Sequence, residues 1–363
     1  MANAIEHFSR HRVEDTIVQV MADMQHGLER LIGEELSVIR HYARLGNWPH
    51  KRVNIFVLED LRPLVSQIKG AAALSSVIAN DVDLRPMVNI YDAADFSECS
   101  VFVNRSALEQ GGLWHDDIAL RGLLAHEHAH PLAENKTVRA ARALSVEVEV
   151  ESRIPSSIAP VLHLLADRLC VHAPQEVFAN ELAVRAGFGH ALFHLDRRIV
   201  DKARAGVSGR SSLVQSLERQ VLERKLSVDQ AAAVLLVGDL QGHLAFALET
   251  APFLRAQRRS QADAIEGALI EGVLCHLDPA ARRLYEKYRD FYLVLRTDLS
   301  AAAMRRWSAK ALDILADALR EVHLQVRFAL VRSRPGRKRQ RPPRAERRAV
   351  VNGGVEHEEG GRM

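Results

Sequence analysis

The chain has 363 residues, of which 47% are hydrophobic, 26% charged and only 5% aromatic, with a formal net charge of +3. This composition is typical of a globular, helix-rich protein with one large or two ordinary domains. The sequence contains no uninterrupted run of about 18 apolar residues, so no membrane span is predicted. No apolar run follows Met1, so no secretory signal is evident. The three scattered cysteines indicate a reducing compartment without a disulfide framework. We therefore expect a cytoplasmic protein.

The N-terminal part is predicted to form a long helix followed by a small mixed sheet. Apolar residues recur at helical spacing over about 5–45. Apolar runs predict strands at 53–58, 87–91 and 99–103, with a helix over about 60–79 after the first strand. About three strands would thus precede the next helix, and the predicted fold class is α+β, predominantly α.

The segment that follows is rich in histidine and has the pattern His-Glu-x-x-His at positions 126–130. On a helix, His126 and His130 lie on one face, so their imidazoles can bind one metal ion. Glu127 lies close enough on the same helix to hold a water beside that ion. Two neutral nitrogens and an adjacent carboxylate are what metal-assisted hydrolysis requires.

The surrounding sequence favours a helix at this motif. Asp116 and Asp117 are suitable N-cap residues, and Ile118, Leu123 and Leu124 supply an apolar face. Proline cannot donate a backbone hydrogen bond, so the residue after His130, a proline, should bend or end the helix there. This break falls after both histidines and leaves the pair intact.

A third metal ligand must come from the chain beyond His130, because a catalytic zinc usually has three protein ligands and one open position. A helix of about a dozen residues is predicted between Pro174 and Gly187. It contains two candidate ligands, Glu176 and Glu181.

This helix resembles the Glu-x-x-x-Asp helix of gluzincin-type zincin metallopeptidases, especially the HtpX-like and CAAX-protease-like branch. Aligned on its alanines, the resemblance implies that Glu176 is the zinc ligand and that Asn180 hydrogen-bonds a zinc-bound histidine. An alternative alignment, on the Asn-Glu start of the thermolysin-type helix, makes Glu181 the ligand and places Arg185 where an acidic residue belongs.

The resemblance covers the motif helix, the preceding strand and the Glu176 helix, and it implies a zinc-dependent peptidase. A zinc-activated water would attack the peptide bond of a peptide or protein substrate, with Glu127 as the general base. Zincins bind extended substrate along the strand nearest the cleft, and 101–104 is our candidate for this edge. Two features depart from the family: Asn180 is neutral where the family has an Asp, and no membrane span is predicted.

The remaining histidines are first interpreted as structural residues. His128 lies on the opposite helix face from the motif pair and is expected to pack or to face solvent. One of four later histidines could donate a hydrogen bond to the developing oxyanion. These four are His163, His172, His190 and His194.

From about residue 156 onward nearly all of the sequence is predicted to be helical, and the role of its later part does not follow from the sequence. Residues 146–151 alternate Val and Glu, which allows either a short exposed strand or a solvated helix. We predict a metallopeptidase domain at 1–205, a helical extension at 206–332 and a tail at 333–363. The predicted helices lie near 157–172, 174–187, 189–204, 211–226, 228–248, 262–276, 279–296 and 299–331.

The tail is strongly basic and is predicted to be disordered. Between Arg332 and Arg348 there are nine Lys or Arg residues, one Glu and three prolines. The rest of the chain is slightly acidic, so nucleic acid or acidic partners would bind only through this tail. A solubilising tail without a partner is an equal alternative.

Two other classes of function stay open at this point. One is a non-catalytic zinc-binding protein in which His128 or a later histidine closes the fourth coordination position. The other is a helical interaction protein with an accidental motif and a recruiting tail, which the absence of stoichiometric zinc would favour. The substrate specificity and the oligomeric state do not follow from the sequence.

Overall fold

The computed structural model describes residues 5–46, 48–64, 85–150, 158–321 and 323–332. Within these ranges the fold is α+β and predominantly α, as predicted. A mixed sheet lies at the N-terminal side, and most of the later chain is helical.

The main sheet has five strands: β1 (His7–Val13), β2 (Thr16–Ala22), β3 (Arg52–Leu58), β4 (Met87–Asp92) and β5 (Asp95–Asn104). Their spatial order is β1-β2-β3-β5-β4. The three inner strands are parallel, whereas β1 and β4 run antiparallel to their neighbours. Both edges are therefore formed by strands that fold back through hairpins.

The prediction of one long helix over 5–45 is wrong in its first half. Residues 7–22 form the β1–β2 hairpin, and only Glu29–Arg44 is helical. The apolar residues of β2 fit both the period of about 3.6 residues of a helix and the period of two residues of a strand. Burial alternates strictly along Thr16–Ala22, which is the pattern of a strand. Glu14, with a φ of 49°, makes the tight turn that the helical interpretation overlooked.

A second, two-stranded sheet joins distant parts of the chain. Strand β6 (Leu144–Val150) pairs antiparallel with β7 (Val326–Arg332), which decides the alternative at 146–151 in favour of a strand over its described residues, 146–150. The helix predicted over 299–331 ends at Glu321, so its last part is wrong. The apolar residues of Val326–Arg332 extend the helical pattern of the sequence before them. Their pairing with β6 makes this segment a strand.

The described helices are α1 (Glu29–Arg44), α2 (Arg105–Gln110), α3 (Asp117–Leu132), α4 (Lys136–Arg142), α5 (Ile158–Asp167), α6 (Ala173–Ala183), α7 (Gly189–Gly206), α8 (Ser208–Leu222), α9 (Val228–His243), α10 (Ala247–Arg255), α11 (Arg259–Gly272), α12 (Pro279–Leu293) and α13 (Ala301–Glu321). Helix α3 packs on α1, α6, α7 and the edge strand β4, so it lies between the sheet and the later helices. The predicted domain boundary at residue 205 coincides with the end of α7 and stays a prediction.

Two of the sequence predictions concern segments that lie wholly or mostly outside the described residues. The helix predicted over 60–79 lies mostly outside the described residues, which include a 3-10 turn at Arg62–Leu64. The tail predicted from residue 333 lies wholly outside them.

Within the described part of the chain, one helical run meets the length and composition criteria for crossing a membrane. It covers Val228–Arg255, with a mean hydropathy of 1.6 over its most apolar window, and 50% of that window is buried inside the structure. Buried core helices of soluble proteins pass the same test, so the run is weak evidence for a span. The expectation that the chain has no membrane span stays a prediction.

Gly122 allows α3 to approach α7 closely. A β-carbon added at this position would lie 2.7 Å from the Ala191 carbonyl oxygen and 2.9 Å from the Ala191 carbonyl carbon. These are backbone atoms and cannot rotate away, so a side chain here must push the two helices apart.

We expect Gly122→Ala to lower the free energy of unfolding by about 1–3 kcal/mol, because overpacking a closely packed interface costs that much. The matched control is Gly267→Ala in α11, where an added β-carbon meets nothing within 4 Å. That variant should gain about 0.5–1 kcal/mol from its better helix propensity. Chemical denaturation checks both values, and equal effects of the two substitutions would contradict the close α3–α7 approach.

Candidate metal centre

Helix α3 holds the motif in a fixed orientation. Asp116 caps it by accepting a hydrogen bond from the Ala119 backbone N–H at 3.0 Å. The helix ends at Leu132, one residue after Pro131, as the missing proline N–H predicts. Helix α1 supports it from behind, since the Tyr42 hydroxyl donates to the carbonyl of Ala125 at 2.8 Å.

The second helix of the site, α6, lies between two short π-helical segments, Arg168–His172 and Val184–Phe188. Such wide turns change the helix register and recur at functional sites. Gly187 has a φ of 104°, a conformation that favours glycine. Glu176 lies in the first turn of α6 and faces the motif histidines.

His126, His130 and Glu176 form a cluster that could hold a metal ion. The His126 Nε2 atom lies 3.1 Å from His130 Nε2 and 3.3 Å from Glu176 Oε2. The distance from His130 Nε2 to Glu176 Oε2 is 4.0 Å. Tetrahedral zinc with bonds of about 2.0–2.1 Å would separate its ligand atoms by about 3.3 Å. The donor atoms are therefore placed close to what such an ion requires.

The cluster is enclosed but not sealed. The side chains of His126, His130 and Glu176 retain 15%, 7% and 19% of their exposure. Among the residues that the structure describes, no fourth His, Cys, Asp or Glu joins the cluster. A fourth coordination position is thus left for a water or a substrate.

Asn180 orients one of the two imidazoles. Its Oδ1 atom lies 2.6 Å from His126 Nδ1, and an amide oxygen can only accept, so Nδ1 carries the proton. In the neutral imidazole the Nε2 lone pair of His126 then points into the cluster, where a metal ion would replace the proton that Nε2 otherwise shares with Glu176. Asn180 lies one helical turn after Glu176, and this spacing allows one face of α6 to supply both groups.

Glu127 is held by the edge strand of the sheet. Its Oε2 atom accepts a hydrogen bond from the Asn89 backbone N–H at 3.1 Å, and the Asn89 side-chain amide donates to the Glu127 carbonyl at 3.0 Å. Burial raises the pKa of Glu127 above its ordinary value, although the nearby His126 lowers it. A carboxylate with a raised pKa is better suited to accept and return a proton near neutral pH.

The strand beside the site is β4, which corrects the prediction that 101–104 is the edge. Those residues belong to β5, which lies between β3 and β4. The β4–β5 hairpin places the earlier strand outside the later one, and this order cannot be read from the spacing of apolar residues.

Two residues that the sequence offers as candidate ligands, Glu181 and His128, lie outside the metal-ligand cluster. Both carboxylate oxygens of Glu181 are engaged, one by Arg185 at 2.9 Å and the other by Arg255 at 2.7 Å. His128 is fully buried, and its Nε2 lies 2.7 Å from Glu35 Oε1. Neither residue belongs to the metal-ligand cluster.

Two of the four later histidines considered as oxyanion donors lie against carboxylates instead. His194 Nε2 lies 2.8 Å from Asp116 Oδ2, and His172 Nε2 lies 3.0 Å from Asp167 Oδ2. These contacts are those of structural histidines. The oxyanion role stays a prediction.

Two acidic residues of the site region were not predicted from the sequence. Glu249 of α10 accepts a hydrogen bond from Asn180 Nδ2 at 2.7 Å, and Asp196 of α7 is buried near it. Burial and the charge of Glu249 raise the pKa of Asp196 well above its ordinary value. The available signal was that Glu249 is a lone acid within the apolar segment 244–254.

The electrostatics of the cluster favour a cation. Burial lowers the pKa of His126, but its hydrogen bond to Glu176 and the charges of Glu176, Glu127 and Glu249 outweigh burial and raise the pKa to about 10. By contrast, burial and the charge of His126 lower the pKa of His130 to about 3. The raised pKa of His126 indicates that His126 and Glu176 share a proton when no metal is bound, and a divalent cation would replace that proton.

Comparison of the chain with protein-family models, with curated proteins and with solved structures gave no match.

Proposed function

We propose that the protein is a zinc metallopeptidase in which His126, His130 and Glu176 hold the metal. The observation that carries the proposal is the convergence of these three donor atoms beside the buried carboxylate of Glu127. Two imidazoles and one carboxylate suit zinc, and an incomplete set of three protein ligands is typical of catalytic rather than structural zinc. The resemblance of the motif and of the Glu176 helix to gluzincins supports the peptidase assignment.

When bound, zinc would supply a water of lowered pKa and would polarise the scissile carbonyl. Glu127 accepts the proton of the attacking water and delivers it to the leaving amine. The Asn89 backbone N–H holds one carboxylate oxygen of Glu127, which leaves the other oxygen for this transfer. Asn180 keeps His126 in the tautomer that ligates the metal.

Strand β4 is the proposed substrate-binding edge. It is the last strand of the described sheet and contacts the motif helix through Asn89. An extended peptide that paired with β4 would run past Glu127, because the backbone of the same strand holds that side chain. The proposed substrate class is therefore an extended segment of a peptide or protein.

Two contacts bear on the alternative of a closed, non-catalytic zinc site. His128, the nearest candidate for a fourth ligand, is bonded to Glu35 on the opposite side of α3. His172, one of the later candidates, lies against Asp167. These contacts favour the open, catalytic arrangement over the closed one.

Zinc content and peptide hydrolysis together test the proposal. We expect purified full-length protein to hold about one zinc ion per chain and to cleave members of a mixed peptide library. A chelator should abolish cleavage, and added zinc should restore it. Protein that holds no zinc would contradict the metal site, and protein that holds zinc but cleaves no peptide would favour the non-catalytic alternative.

A further inference from the structure

A chain of two hydrogen bonds leads from the metal-ligand cluster into the helical extension. Glu249 Oε2 accepts from Asn180 Nδ2 at 2.7 Å, and Asn180 Oδ1 accepts from His126 Nδ1 at 2.6 Å. A second, longer bond from Asn180 Nδ2 to the Leu248 carbonyl, at 3.5 Å, comes from the same helix, α10. Every polar atom of the Asn180 side chain thus has a partner.

An asparagine at this position has a problem that an aspartate does not have. The two ends of an amide are similar in shape but opposite in hydrogen bonding, so a rotated Asn180 would present its NH₂ group to His126 Nδ1. Two donors would then face each other, or the imidazole would take the tautomer whose Nε2–H points into the metal cluster. Either outcome is unfavourable for metal binding.

A carboxylate on the far side of the amide removes this ambiguity. The Oε2 atom of Glu249 accepts from the NH₂ end of Asn180 and so leaves the oxygen end for His126. Burial raises the pKa of Glu249, whereas the charges of His126 and Arg168 lower it and favour the carboxylate form that only accepts. The contact is sheltered at its Asn180 end, because Asn180 is 4% exposed, and Glu249 itself is partly buried. Water therefore competes little for the same atoms.

We propose that Glu249 is a positioning residue of the metal centre, which acts through the Asn180 amide to fix the tautomer of His126. The inference rests on the proposed metal function and deepens it. It also gives the helical extension a role, since α10 lies beyond the predicted boundary at residue 205 and yet supports a ligand on α3. In gluzincins a carboxylate hydrogen-bonds the histidine directly. Here the carboxylate of Glu249 bonds the Asn180 amide, and that amide bonds His126.

The experiment measures zinc affinity of the full chain by competition with a coloured chelator, and cobalt absorption as a report on ligand geometry. We expect Glu249→Leu to weaken zinc binding by about tenfold, the lower end of the effect seen for outer partners of zinc ligands. Adding Asn180→Asp to that variant should recover most of the loss and restore the cobalt spectrum. Both oxygens of a carboxylate are acceptors, so Asp at 180 cannot be presented the wrong way.

The rescue separates positioning from other roles of Glu249. If Glu249 only stabilised the fold, or if it ligated the metal itself, a second substitution at Asn180 would not restore affinity. The matched control is Asp239→Asn, which removes a buried carboxylate of the same extension that bonds Arg210 rather than any residue of the site. It should lower the melting temperature and leave zinc affinity unchanged.

A second pair of variants covers the case in which Glu249→Leu does not fold. Glu249→Gln keeps the size and one acceptor and should lose less affinity than the Leu variant. In the double variant Asn180→Asp, Glu249→Gln, the new amide can donate to the new carboxylate, so affinity should equal or exceed that of Glu249→Gln alone. Lower affinity in the double variant, or unchanged affinity in both Glu249 variants, would overturn the inference while leaving the proposed metal site intact. A wild-type chain that binds no zinc would overturn both.

Discussion

Replacing Glu176 with alanine should remove zinc from the purified protein. Its Oε2 atom is the only carboxylate oxygen in the described cluster, 3.3 Å and 4.0 Å from the two histidine Nε2 atoms. Loss of a partner outside the ligand shell already lowers metal affinity by about 10–100-fold, so loss of a ligand should lower it by more than about 100-fold. Elemental analysis after dialysis, and competition with a chelator, give the measurement.

Glu181→Ala is the matched control, because Glu181 lies on the same helix and was the rival ligand. It should keep zinc but lose stability, since Arg255 is nearly buried and would lose the carboxylate that faces it. Leaving one member of a buried ion pair without its partner costs about 3–5 kcal/mol, and partial exposure reduces this to about 2–3 kcal/mol. The two variants should therefore show opposite patterns: zinc loss with little unfolding for Glu176, and unfolding without zinc loss for Glu181. Zinc loss in the Glu181 variant alone would reverse the ligand assignment.

The sequence was informative where the signal is local. His126 and His130 lie four residues apart on a capped helix, and that spacing places both imidazoles on one face, where their Nε2 atoms lie 3.1 Å apart. The Glu176–Asn180 pair is local in the same way, so a short pattern on α6 was enough to propose both roles. Pro131 marked the end of α3 for an equally local reason.

Features that depend on distant pairing were missed or assigned wrongly. The apolar residues of 7–22 also fit a helical period, and only the pairing of β1 with β2 makes them strands. The same holds for β7, whose partner β6 lies far away in sequence. Strand β5 was chosen as the substrate edge although the hairpin places β4 outside it. Glu249 lies 69 residues from Asn180, and no spacing rule connects the two positions.

Replacing Glu127 with glutamine should abolish most turnover while leaving the metal in place. Glutamine keeps a carbonyl oxygen that can accept from the Asn89 backbone N–H, so the contact between β4 and α3 is preserved. It cannot take a proton from the attacking water, and loss of a general base typically lowers the rate by about 10²–10⁴-fold. Because Glu127 is not one of the three clustered ligands, zinc content should not change.

The measurement compares kcat/KM on a mixed peptide library with zinc content for the same preparations. Glu34→Gln is a suitable control: its carboxylate contacts α3 through Arg121 at 2.6 Å and 2.8 Å but lies outside the cluster. That variant should keep both zinc and turnover, because it changes a charge against the same helix without touching a site residue. Full activity in the Glu127→Gln variant would show that proton transfer uses another group. Loss of both zinc and activity would instead show that Glu127 is needed for metal binding. The role of general base would then have to be assigned to another residue.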